Sequence, residues 1–250
     1  LSNCVACLYF FVLLWVRRER TVVCISPKKF GFQKEVVLGV FGVGIPASIQ
    51  NLLNVTGMTL LNNFTSGFGA DAVASMGIAQ KVNMVPLQVT LGFSQGVMPL
   101  ISYNYSSGNR RRMKDTILFT LRSVIPVMTG VLILFSVGAR PIIHAFMENE
   151  AIVEYGSRFL RGFCLSMPFI CMDFVTVGVF QAIGWGRAAL CFAILRKIVL
   201  EIPALIVLNA LFPLYGLAYA QFTAEFVLAI AAVIMLRRIF ARTAASEQHG

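Results

Sequence analysis

The chain has 250 residues, of which 58% are hydrophobic and 13% are charged, and its mean hydropathy is +0.78. A soluble domain carries about 25% charged residues, so this composition excludes a soluble globular enzyme, a disordered chain and a disulfide-stapled module, and it favours an integral membrane protein. The net charge of +10 does not indicate a nucleic-acid partner, because the basic residues stand beside long apolar runs and not on one solvated face.

The first predicted element is the end of a transmembrane helix over 1–16. This stretch is uncharged, and Arg17, Arg18 and Arg20 follow it, whereas a signal peptide carries its positive charge before the apolar segment. We therefore expect a helix that is cut at its N-terminal side, in a fragment of a longer protein. A basic cytoplasmic linker over 17–35 is expected next, lying at the lipid headgroups.

Six complete transmembrane helices are predicted after the linker. No Asp, Glu, Lys or Arg occurs over 36–70, 82–109 or 202–224, which are runs of 35, 28 and 23 residues. A bilayer core of about 30 Å needs about 20 helical residues, and these runs lack the alternation of barrel strands. The predicted fold class is all-α integral membrane, a six-helix bundle over 36–237 with a cytoplasmic tail over 238–250. The helices are predicted at about 36–66, 72–105, 115–147, 152–184, 187–210 and 214–237.

The distribution of basic residues between loops predicts the orientation. Fourteen of the 21 Lys and Arg residues fall in the linker, around 110–114, at Arg187 and near the C-terminus. The alternate loops, near 67–71, 147–154 and 210–214, contain none. Because short cytoplasmic loops are enriched in Lys and Arg, we expect a cytoplasmic C-terminus in a plasma or inner cell membrane.

Proline falls inside five consecutive predicted helices, where it removes a backbone donor and kinks the helix. Irregular backbone in a membrane protein is tolerated where it is buried or lines a wet cavity, and kinked helices around a central site are typical of transporters. The pattern favours such a cavity over ordinary kinking. The prolines are Pro46, Pro86, Pro99, Pro126, Pro168 and Pro203.

Six charged residues lie within the predicted spans, where each costs about 3 kcal/mol on insertion scales. We predict that the acids Asp173, Glu201 and Glu225 include a site for a sodium ion or a proton. The alternative is structural pairing, since Lys197 and Glu201 are four residues apart on one helix face. The bases, which we expect to be charge partners of the acids, are Lys81, Arg196 and Lys197.

Uncharged polar side chains also collect in the predicted helices. Hydrogen bonding between helices is their default role, but a drug cavity would use the same groups together with adaptable Met side chains. The candidates for the cavity and for substrate contact are Gln50, Asn54, Met58, Gln80, Asn83 and Gln181.

No motif in the sequence predicts an enzyme, a metal site or a cofactor other than a coupling ion. Cys4 and Cys7 form a C-x-x-C pair inside an apolar helix, without a second pair or an adjacent His, and we interpret them as small apolar residues. His144 and His249 are isolated, and there is no zinc-protease, nucleophile-elbow or phosphate-loop motif.

Five segments stand in a recognisable order along the chain. They are GIPASIQN at 44–51, ASMGIAQKV at 74–82, SQGVMPLISYNYSSGN at 94–109, FQAIG at 180–184 and LRKIVLEIP at 195–203. Their order and spacing, over nearly all of the predicted bundle, resemble the C-terminal lobe of the MATE family, the multidrug and toxic compound extrusion transporters.

The resemblance implies a twelve-helix fold of two lobes around a central cavity, with this chain holding the end of helix 6 and helices 7 to 12. It implies small organic substrates, often cationic, surrounding lipid, the missing N-terminal lobe as a partner, and a monomer when complete. Family members exchange sodium ions or protons for their substrates by alternating access. Asp173 is similar in placement to an acid that some members use for the ion. The first complete helix departs from the family pattern, since it has Gln50 and Asn54 and no carboxylate.

The function predicted from these features is a cation-coupled antiporter that exports drugs or toxic organic compounds. One alternative is a flippase for lipid-linked saccharides of the same superfamily, which would have a more basic cavity and more than twelve spans. The other is a channel or a membrane-embedded enzyme. An enzyme would need a convergent catalytic cluster, and a channel would pass ions without substrate exchange.

Overall fold

The computed structural model describes residues 2–16, 31 and 33–247, and no strand occurs in this part of the chain, which confirms the predicted all-α class. Most of the predicted linker, including its headgroup segment, and the last residues of the predicted tail lie outside the described residues. The helices are α1 (Ser2–Val16), α2 (Lys34–Ser66), α3 (Ala70–Ser106), α4 (Arg110–Val137), α5 (Ala139–His144), α6 (Glu150–Ala182), α7 (Gly186–Ile194), α8 (Ile202–Leu211) and α9 (Gly216–Glu247). A π-helical segment, Leu195–Glu201, joins α7 to α8.

The chain divides into two compact units, Leu1–Phe41 and Gly42–Gly250. The first contains α1, whose apolar side chains are exposed, and the start of α2. The second contains the remaining helices and the buried core. Four described helices, α2, α3, α4 and α6, are long and apolar enough to cross a membrane. The most apolar part of α6 is 72% buried, against 22% for α3 and α4, so α6 is the central helix of the bundle.

Proline accounts for two interruptions in the helices. Where one helix is predicted over 115–147, α4 ends at Val137 and α5 begins after Gly138. Pro141 cannot donate the hydrogen bond to the Val137 carbonyl that a continuous helix would need. Pro203 stands near the start of α8, directly after the π-helical segment, so the predicted helix over 187–210 consists of α7, the π-helical segment and α8.

Two apolar clusters form the core, and a polar layer lies between them along α6. The first cluster includes α6 residues as far as Cys171, and the second begins on α6 at Val175. On α9, the same boundary falls between Ala220 and Leu228. The acids of this layer therefore lie deep in the bundle, with packed apolar side chains on both sides along the helix axes.

Candidate ion-binding site

Close helix contacts enclose the polar layer. A Cβ atom on Gly162 of α6 would lie 2.7 Å from the Cβ of Ala218 on α9. A Cβ atom on Gly178 of α6 would meet the hydroxyl of Ser94 on α3, and that hydroxyl donates a 2.7 Å hydrogen bond to the Phe174 carbonyl. Only glycine permits these approaches, which bring α3 and α9 against α6 and exclude lipid from the layer between them.

Arg196, in the π-helical segment, contacts two acids from two other helices. Its Nη1 atom forms an ion pair with Asp173 Oδ2 at 2.9 Å, and its Nε atom donates a 2.7 Å hydrogen bond to Glu225 Oε1. The relative exposure of Asp173, Arg196 and Glu225 is 1%, 5% and 0%. The guanidinium also lies over the Phe174 ring, 5.3 Å from its centroid, where the ring adds a cation–π attraction. We call Asp173, Arg196 and Glu225 the buried triad.

Lys197 and Glu201 form a second buried ion pair within the π-helical segment. Lys197 Nζ donates a 2.7 Å hydrogen bond to Glu201 Oε1 and lies 2.6 Å from Oε2. Helix α2 passes over this pair at Gly57, where a Cβ atom would lie 3.1 Å from Lys197 Nζ and 3.2 Å from Glu201 Oε1. A π-helix is rare and occurs mostly at functional sites. Here it directs two consecutive basic side chains into the protein interior.

The charges of this layer do not balance. Among the described residues, the buried charged side chains are three carboxylates and two bases, which leaves one negative charge when all are ionised. Lys197 neutralises Glu201, so the excess charge belongs to the buried triad. Asp173 Oδ1 and Glu225 Oε2 are buried without a hydrogen-bond partner in the described part of the chain. A site with one excess carboxylate can accept one monovalent cation or one proton.

Other predicted site residues lie away from the buried triad. Gln181 Nε2 donates a 3.4 Å hydrogen bond to Gln50 Oε1, which links α6 to α2, and Gln80 Nε2 donates one of 3.2 Å to Asn62 Oδ1. Asn83 is buried with its Oδ1 unpartnered among the described residues.

Three further predicted residues do not contact the acids in any recorded ion pair or hydrogen bond of the described chain. Asn54 is half-buried, and Met58 and Lys81 are exposed. The structure therefore brings Arg196 and Lys197, but not Lys81, to the acids. Gly57 is a site contact that sequence reasoning missed, although it lies seven residues after Gln50 and three after Asn54, close to the same helix face.

Helices α4, α5 and α6 carry more ordinary ion pairs at the outer ends. Arg140 pairs with Glu150, and Arg158 pairs with Glu154 at 2.7 Å. All four side chains are more than half exposed, so solvent screens these pairs and they contribute little to stability. No group of three or more potential metal ligands among His, Cys, Asp and Glu occurs in the described residues.

Comparison with known proteins gives matches along most of the chain. The MatE family model matches residues 46–207. The multidrug export protein MepA of Staphylococcus saprophyticus is 32% identical over 237 residues, and MepA of Staphylococcus aureus is 34% identical over 238 residues. Each alignment covers 94% of this chain and 51% of the relative. The chain thus spans about half the length of the curated relatives that it matches.

Solved structures share the fold. A multidrug resistance MATE family transporter of the MOP superfamily, in its outward-facing conformation, has a TM-score of 0.90 and 21% identity, with 98% of this chain and 55% of that chain covered. The Vibrio cholerae MATE transporter VcmN in its bent form has a TM-score of 0.82 and 15% identity, with 91% and 52% covered. At these identities the likeness shows a shared fold.

Proposed function

The chain belongs to the MatE family of multi-pass membrane transporters, which are not enzymes, and from this we propose that the full-length protein exports drugs or toxic organic compounds in exchange for a cation. The relatives named as multidrug export proteins support the export of small organic molecules. They do not favour a flippase for lipid-linked saccharides. The proposed mechanism is alternating access, in which the ion and the drug bind the inward-open and outward-open forms with different affinities.

The observation that carries the coupling is the unbalanced charge of the buried triad. Arg196 can neutralise one of its two carboxylates, and the oxygens without a partner, Asp173 Oδ1 and Glu225 Oε2, mark where a cation would be held. An uncompensated carboxylate in a low-dielectric interior is costly, so the triad attracts one proton or one sodium ion. Glu201 is paired with Lys197 and is a weaker candidate.

The position of the buried triad explains how an ion would change the fold. The triad joins α6, the π-helical segment and α9, and the adjacent ion pair contacts α2 at Gly57. A cation bound to Asp173 weakens the attraction between that carboxylate and Arg196. The packing of these helices then differs between the loaded and empty states, and this difference is what biases the two forms of the transporter.

We also propose that the C-terminus faces the cytoplasm of a cell with this protein in its plasma or inner membrane. Lys114, near the start of α4, lies 5.6 Å from the centroid of the Phe240 ring near the end of α9, which places these two helix ends together. Exposed Arg111, Arg237 and Arg238 lie at the same end. Basic residues concentrated at one end support a cytoplasmic location for it.

Transport by the full-length protein in lipid vesicles tests the proposed function. A fluorescent organic cation is loaded, and an inward gradient of protons or of sodium ions is imposed across the bilayer. One of the two gradients is expected to drive the dye against its own concentration gradient, and an ionophore that collapses this gradient should stop the movement. Dye movement that ignores both gradients would overturn the proposed coupling.

A further inference from the structure

Lys81 is a charged residue of α3 that the buried ion pairs leave unused. It follows Ala70, the first residue of α3, by eleven positions, about 16 Å along the helix. The side chain is exposed, and no acid is paired with it in the described part of the chain. A charged side chain in a membrane helix is expensive against lipid and normally faces a cavity or a partner.

The face of α3 that carries Lys81 is polar over most of its length. Gln88 and Gln95 follow Lys81 at intervals of seven residues, so the three side chains lie on one face of the helix, and all three are exposed. We call them the polar face of α3. Gly92 and Gly96 border it, and a Cβ atom on either would have no heavy atom within 4 Å.

The opposite face of α3 packs against α6. Thr90 contacts Cys171 at 3.5 Å, and Ser94 bonds to the Phe174 carbonyl. Because α3 turns this side to the bundle core, its polar face points away from the core. The relatives that match this chain are about twice its length, and a polar face in a membrane transporter has to be covered by protein or by a water-filled cavity.

We propose that Lys81 binds a carboxylate on the exported compound, within the central cavity that the proposed function requires. Exposed Met84 and Val85 adjoin Lys81 and would contact the apolar rings of such a compound, since Met adapts to ligands of different shapes. The substrates would then include zwitterions and organic acids as well as the cations expected from the sequence. A purely cationic compound would gain nothing from an ammonium group there.

A carboxylate on the other half of the transporter has the same chemistry but a different consequence. A permanent ion pair across the cavity would hold the two halves together, whereas alternating access requires this face to open and close. A charge that leaves with the exported compound satisfies Lys81 only while the compound is bound. The moving carboxylate therefore fits the proposed mechanism better than the fixed one.

A pair of rhodamine dyes separates these sources, because one dye carries a free benzoate and the other is its methyl ester. Binding to the full-length protein in detergent is measured by fluorescence anisotropy, and transport is measured in vesicles. Lys81→Gln is expected to weaken binding of the acid dye about tenfold or more, as for the loss of one charge-assisted hydrogen bond, and to leave the ester unchanged. Lys81→Arg should retain the preference for the acid dye. Arg122→Gln, which removes an exposed base on α4, is the matched control.

Equal weakening of both dyes in Lys81→Gln would overturn the proposal and assign the carboxylate to the other half of the protein. Unchanged binding of the acid dye would overturn it as well. The binding measurement also separates this inference from the proposed coupling. Acid-dye binding that depends on Lys81, in a protein that ignores both cation gradients, supports the carboxylate site and refutes the coupling.

Discussion

Arg196 is the residue on which the buried charges depend most. Its guanidinium lies between Asp173 and Glu225, at 2.9 and 2.7 Å, and a planar guanidinium can serve two carboxylates at once where an ammonium group cannot. Removing one partner of a buried ion pair leaves an uncompensated charge, which costs more than the pair itself contributes. Asp173 and Glu225 would together face this cost if Arg196 were lost.

Arg196→Gln is expected to destabilise the full-length protein by about 3–5 kcal/mol, because two buried carboxylates lose their common partner. The combined variant Asp173→Asn, Arg196→Gln, Glu225→Gln removes all three charges and should recover much of this loss. Thermal unfolding in detergent measures both. Equal stability of Arg196→Gln and the wild-type protein would show that the guanidinium does not hold the two acids.

Asp173→Asn is expected to reduce cation-driven drug efflux roughly tenfold, within the range of typical coupling energies between sites. The variant leaves Glu225 to balance Arg196, so the buried triad becomes neutral and no longer needs a cation. Asp71→Asn, at an exposed acid on α3, is the control. Efflux is compared at equal expression, and unchanged efflux in Asp173→Asn would remove this acid from the mechanism.

The partners of the acids were only partly predictable from the sequence. The spacing of four residues indicated the Lys197–Glu201 pair, because that pairing is local to one helix. The link from Arg196 to Glu225 spans 29 residues and depends on how two helices rotate and pack. Lys81 was expected to act as a charge partner like the other two bases, and only the orientation of α3 shows that it lies apart from the acids.

Among the elements, α2 has the sparsest contacts that bear on the site. Its recorded polar contacts with the rest of the second unit run from Gln50 to Gln181 and from Asn62 to Gln80, and Gly57 touches the Lys197–Glu201 pair. Only 6% of its most apolar part is buried. A helix with so few contacts can move at small energetic cost, and its closest approach to the buried charges is at a glycine.

Gly57→Val is expected to destabilise the protein by about 1–3 kcal/mol, because its added atoms would overlap the ion pair, and to slow drug efflux. Gly44→Val on the same helix is the control, since a Cβ atom there has no heavy atom within 4 Å. Both variants carry the same intrinsic cost of valine in a helix. Thermal unfolding and efflux are measured for each, and equal behaviour of the two variants would contradict a role for the contact.

The behaviour of proline in these helices was only partly predictable. Kinks were expected at six prolines, and five of them, Pro203 being the exception, lie inside continuous helices. Proline forces a helix to adjust, but tertiary packing decides whether the adjustment is a kink, a break or a π-helical turn. The π-helical segment before Pro203 is therefore a feature that local sequence does not specify.

At the scale of the whole molecule, composition was enough to predict an all-helical membrane bundle. Uncharged runs such as 36–70 and 82–109 exceed what a bilayer requires, and these runs lie within α2 and α3. The division of the predicted helix over 115–147 was not foreseen, because its apolar pattern continues past Gly138. Hydrophobicity reports what a segment tolerates, whereas backbone hydrogen bonding determines where a helix ends.

The proposed orientation predicts which ends of the helices a membrane-impermeant thiol reagent can reach. In a background without native cysteines, Glu148→Cys should be labelled in intact cells, because it lies at the acidic end of the bundle. Arg111→Cys, at the basic end, should be labelled only after the membrane is permeabilised. The reverse pattern would place the C-terminus outside and contradict the positive-inside assignment.

The central claim is that the buried triad holds one cation which the drug displaces, and cation release on drug binding measures this directly. The full-length protein in detergent is titrated with drug while a pH-sensitive or sodium-sensitive dye reports released ions. Because the described triad has one excess negative charge, about one cation should be released per drug bound. Asp173→Asn and Glu225→Gln, whose triads are neutral, should release none. Equal release from these variants, or no release from the wild-type protein, would contradict the claim.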